Sequence, residues 1–132
     1  MRILAKSESD DLIADNMAQM EVMMDTGVIN WASRPLERMF GYNLPGELEG
    51  EQVEILVPLG IIDKHAKVYR PSFTTKPEPR MMGRKASDGR LLDLKGRRKD
   101  GTEFPAEVLL LPKSSNRIRV IVVFVFDMSD RA

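Results

Sequence analysis

The chain has 132 residues, 42% hydrophobic and 30% charged, a balance that fits one globular unit with a single core. No apolar run reaches the roughly 20 residues of a membrane span, the opening MRILAKSESDD lacks the apolar stretch of a secretory signal, and the absence of cysteine excludes disulfides and thiolate metal sites and fits a cytoplasmic location. Net charge is zero, yet residues 1–54 carry four basic and eleven acidic groups (−7) and residues 63–99 twelve and four (+8), a polarity that the fold or a second copy can satisfy without nucleic acid or membrane.

Ser7-Glu8-Ser9-Asp10-Asp11 predicts a helix start, with capping hydroxyls followed by carboxylates at the positive end of the helix dipole. Leu12, Ile13, Met17 and Met20 follow at helical spacing, so a flanking helix is expected over residues 1–19, ahead of a domain over 20–132. Residues 20–24 read either as the last turn of that helix or as a first strand. The turn Asp25-Thr26-Gly27 before Val28-Ile29-Asn30-Trp31 favours a strand hairpin. Ser33 can then cap a short helix with Pro35 in its first turn, Leu36, Met39 and Phe40 on its buried side, and Gly41 at its end.

The pattern predicts a further helix from Ile61 to Arg70, stopped at Pro71. Residues 71–90 are rich in Pro, Gly, Lys and Arg and are expected to form an exposed loop with an insertion around Gly83–Gly89. Leu91–Arg98 and Glu103–Leu111 are predicted strands joined by a turn in which Asp100-Gly101 supplies the positive φ. Along the second strand Phe104, Ala106, Val108 and Leu110 share one face, and Glu103 and Glu107 mark the other. The last strand, Arg117–Asp127, is apolar on both faces from Val120 to Phe126 and must be covered on both sides. Lys95, Arg97, Arg98 and Lys99 read as solvated charge beside the turn, because no aromatic residue interleaves with them to stack on bases.

Taken as strings, GRRKDGTEFP at Gly96–Pro105, INWASRPLERMFGY at Ile29–Tyr42, and the following Glu47–Gly50 and Val53–Pro58 resemble PAS domains, the sensory modules of bacterial signalling proteins. The resemblance covers about residues 20 to 130. It implies an α+β fold: an antiparallel sheet of about five strands, short helices on one face and a ligand pocket between them. Asp127-Met128-Ser129-Asp130-Arg131 resembles the exit through which such domains pass a signal to an effector. Flavin-cysteinyl chemistry, found in some relatives, is excluded by the absence of cysteine.

Three candidate site residues follow. Val108 and Leu110 are expected to line the pocket with His65, the one histidine, whose neighbours Ile61, Ile62, Val68 and Tyr69 at helical spacing place it on a buried stripe. In haem-binding PAS domains the axial histidine occupies this helix, so the resemblance makes His65 the ligand if b-type haem is bound. Leu92 and Val123 depart from that group, where the oxygen-sensing members carry Arg and Gly. One histidine without cysteine assembles no nucleophile–base relay, and Glu47/Glu49 and Glu51/Glu54 have the spacing of surface charge, so no enzyme is expected. Two functions fit: a ligand-binding sensor that dimerises and signals to an effector, or a ligand-free protein–protein interaction module. In both, the apolar face of Val120, Val122, Phe124 and Phe126, extended by Leu109 and Leu111, predicts a homodimer through the N-terminal helix and the outer sheet face.

Overall fold

The computed structural model of the chain describes residues 16–83 and 94–129, with only the backbone of Ser115. The flanking helix expected over residues 1–19 falls outside the described residues up to residue 15. Met20, assigned to its apolar stripe, instead lies in strand β1 (Gln19–Met23) and is buried in the core. Alternation decides this: Met20, Val22 and Met24 point into the core at period 2, with Gln19, Glu21 and Met23 between them.

Strand β2 (Ile29–Ala32) closes the first hairpin, and helix α1 (Arg34–Met39) follows at once. Ser33 is its cap, accepting from the Leu36 amide at 3.3 Å. The same hydroxyl accepts from the Gln19 amide at 3.0 Å and donates to the Met17 carbonyl at 2.7 Å, so the cap also fastens the helix to β1. Gly41, at φ 82°, ends the helix in the left-handed region as expected.

Short 3₁₀ turns (Val53–Leu56 and Leu59–Ile61) lead into one helical run: α2 (Ile62–Lys64), a π-turn (His65–Tyr69) and α3 (Arg70–Thr75). The helix therefore does not stop at Pro71. The π-turn bonds the Arg70 amide to the His65 carbonyl, five residues back, and Pro71 sits within the first turn of α3, where its missing N–H costs least. Nor is the expected stripe buried. Ile61, Val68 and Tyr69 are exposed, because a π-turn breaks the 3.6-residue period on which the stripe was drawn.

Strands β3 (Arg80–Met82), β4 (Lys95–Arg97), β5 (Glu103–Ser115) and β6 (Ile118–Asp127) complete an antiparallel sheet of order β2-β1-β6-β5-β3. The sheet has six strands rather than about five because one edge is divided. Both β3 and β4 pair with β5, β3 against Val108–Leu110 and β4 against Glu103–Pro105. Residues 80–82, read from sequence as loop, become strand through that pairing; three residues are too few to show a period. The long pairing of β5 with β6 and the turn at Gly101 are as the sequence predicts.

Register sorts the two faces. Val108 pairs with Val125 and Leu110 with Val123 on the core side, while Glu107 pairs with Phe126, Leu109 with Phe124 and Leu111 with Val122 on the outer side. Ile121, Val123 and Val125 are buried in the core with Leu36, Phe40, Leu48, Phe73 and Phe104. On the outer side Leu109, Leu111, Val122 and Phe124 are half-buried, and Ile118 and Phe126 are exposed.

Candidate functional site

The strongest gathering of polar chemistry lies where the helical run meets the first 3₁₀ turn. Glu54 is buried, although the sequence reading placed it on a solvated face. Its Oε2 accepts from Arg70 Nε at 3.1 Å and lies 2.7 Å from His65 Nδ1. The carboxylate is 10% exposed, against 28% for His65 and 18% for Arg70, so the anion is inside and its partners reach toward solvent. A buried carboxylate needs such partners, since an unpaired one is costly to desolvate.

Neighbouring elements close around this group. Gly27, at φ 77° in the β1–β2 turn, lies against this group: a Cβ there would be 2.9 Å from Arg70 Nε and 3.1 Å from Gln52 Oε1. From β4, Arg97 donates to the Val57 carbonyl at 2.8 Å and to the Glu54 carbonyl at 3.4 Å, tying the 3₁₀ turn to the sheet. The far end of α3 is held too. Thr74 Oγ1 donates to the Met24 carbonyl at 3.2 Å, and Arg119 of β6 bridges the Thr74 carbonyl and Asp25 at 3.2 and 2.6 Å.

The three residues singled out from sequence lie in two places. Val108 and Leu110 lie together on the core side of β5, packed against the core cluster. His65 is engaged with Glu54 instead. Of the concavities among the described residues, two are lined by other side chains. One is an open groove of about 430 Å³ between Met17, Ala18, Pro35, Met39, Val125 and Met128; the other, about 140 Å³, lies beside Met24 and Arg119. Among the described residues no group of three or more His, Cys, Asp or Glu could hold a metal ion.

Sequence reasoning missed Glu54 and Arg70. A signal was present for the first: a carboxylate inside the apolar run Val53-Glu54-Ile55-Leu56-Val57 needs a buried partner. Arg70 carries no such mark, since its role depends on the π-turn.

Elsewhere the shifted groups hold the hairpin. The Thr102 amide and hydroxyl donate to Asp100 Oδ1 at 2.9 and 2.7 Å, and these bonds hold the Asp100 carboxyl below its usual range. Lys99 pairs with Glu47, which lowers the Glu47 pKa and raises that of Lys99. Burial raises Tyr42.

Comparison with known proteins gives a consistent match. A family model described as PAS domain matches residues 17–130. An uncharacterized protein of Azorhizobium caulinodans is 26% identical over 140 residues, covering 98% of this chain and 18% of that protein, so the chain spans only a small part of its relative. The crystal structure of a PAS domain from a two-component sensor histidine kinase superposes with a TM-score of 0.64 at 14% identity, over 91% of this chain and 94% of that one. The LOV domain of the blue-light activated histidine kinase EL346 of Erythrobacter litoralis gives 0.60 at 17% identity, over 86% and 97%. At these identities the two solved structures are alike in fold.

Proposed function

The chain belongs to the PAS domain family, a family of sensory signal-transduction modules, and we propose that it is a cytoplasmic sensor that dimerises through its outer sheet face and signals to an effector. The observation that carries this reading is the two-sidedness of β6. Ile121, Val123 and Val125 supply the core, whereas Val122, Phe124 and Phe126 of the same strand, beside Leu109 and Leu111, leave a second apolar surface partly open. A second copy is the simplest cover, because a two-fold axis sets the same patch against itself. The fold neighbours from sensor kinases support an effector downstream. The reading assigns no catalytic residue. Among the described residues no helix is long and apolar enough to cross a membrane.

In this proposal His65, Val108 and Leu110 are the residues a small ligand would contact, His65 from the helices and the pair from the sheet. The residues present do not fit haem. The space it would need beside Val108 and Leu110 is packed by the core cluster, and the groove and its smaller companion open elsewhere. The same packing favours a second reading, a ligand-free interaction module. Mass spectrometry of the purified protein after denaturation separates the two. A small molecule released in stoichiometric amount supports the sensor, and its absence from protein purified under several growth conditions supports the ligand-free module.

A further inference from the structure

His65 and Arg70 stand five residues apart, yet both bind one oxygen of Glu54. On a regular α-helix, residues five apart point roughly 140° away from each other, too far to converge on a single atom. A π-turn stacks residue i+5 over residue i, and the backbone here does this: the Arg70 amide bonds the His65 carbonyl. The side-chain pairing and the backbone register are therefore one choice.

We propose that Glu54 is a register latch: by binding His65 and Arg70 together it keeps residues 65–69 in the π-turn, and its release lets the helical run shift register over the sheet. The latch opens from the side of Arg70 and His65, because their side chains reach solvent while the carboxylate is buried. A shift would not stay local. It would move Phe73, a buried core residue, and Thr74, whose contacts run to Met24 in the first hairpin and to Arg119 on β6. Each of these contacts uses a side chain, so the shift reaches the sheet without breaking its strand pairing. Glu54 acts here as a positioning residue; Arg97 holds its backbone carbonyl, and Asp63, Lys64 and Lys67 of the run are exposed. The inference concerns the register of the run alone and holds whether or not the core accepts a ligand.

Residue-resolved amide hydrogen exchange on the full chain tests it, with Glu54→Gln, Arg70→Gln and Pro71→Ala. In the first two variants the amides of residues 66–75 should exchange at least about tenfold faster while those of β5 and β6 stay unchanged, and the ring resonances of the one histidine should move. Pro71→Ala should behave as wild type, because the latch and not the proline sets the register. Should Glu54→Gln fail to fold, Arg70→Gln, at a partly exposed site, carries the test. Unchanged protection over 66–75 in Arg70→Gln overturns the proposal. So does acceleration spread evenly over β5 and β6, which is plain loss of stability, or a loss of protection reproduced by Pro71→Ala alone.

Discussion

The rings of Phe40 and Phe104 meet edge-on, 5.1 Å between centroids, and join the end of α1 to the start of β5. Gly96 of β4 pairs with Phe104 and lies beneath both rings, where a Cβ would come within 2.8 Å of each. Gly96→Ala should therefore cost about 1–3 kcal/mol by overpacking. Phe104→Ala should cost about 3–5 kcal/mol by leaving a cavity. Urea denaturation of both variants checks this, and a Gly96→Ala protein as stable as wild type would show that the rings can part.

A second prediction concerns Glu37, whose side chain is wholly buried. It pairs with Arg34 at 2.7 Å and accepts from the Gly46 and Leu48 amides at 3.3 Å each, which fixes the loop after α1. Glu37→Gln keeps the shape but removes the charge, and should cost about 1.5–3 kcal/mol. Arg34→Ala should cost about 3 kcal/mol or more, since it strands the carboxylate. The order of the two midpoints in urea is the measurement.

The pH dependence has two limbs. Asp100 and Glu47 are held below the usual carboxylate range, so their contribution is complete above about pH 4 and is lost as pH falls through their lowered values. Lys99, raised by Glu47, and Tyr42, raised by burial, contribute below their ordinary values near about 10 and lose it as pH rises through the raised ones. Urea midpoints measured across pH should fall at both ends. Asp100→Asn, which keeps an acceptor for Thr102, should flatten part of the acid limb; an unaltered acid limb would remove Asp100 from the account.

His65 gives a spectroscopic prediction. With its ring bound to Glu54 and the core packed around Val108 and Leu110, adding haemin to the purified protein should produce no visible band that depends on His65. A band present in wild type and lost in His65→Ala would restore the histidine as an axial ligand.

Much of the fold could be read from local pattern. The period-2 run from Phe104 to Leu110 and the Asp100-Gly101 turn determine the β4–β5 hairpin, and Ser33 with Gly41 bounds α1. What escaped was non-local. Arg80–Met82 has no period of its own and becomes strand only against β5. The π-turn escaped because Pro71 reads as a stop, whereas the preceding register supplies the place where a proline is tolerated. Glu54 looked like surface charge because its partner Arg70 aligns with it only in that register.

Sedimentation analysis at micromolar concentration, on wild type and Phe124→Glu, tests the central claim most directly. Phe124 pairs with Leu109 in the middle of the outer face and is clear of the core cluster, so a charge there should spare the fold. The wild type should sediment at twice its 15.0 kDa chain mass and the variant at that mass, with unchanged circular dichroism. A wild-type monomer, or a Phe124→Glu protein that still dimerises, would contradict a signalling dimer built on this face.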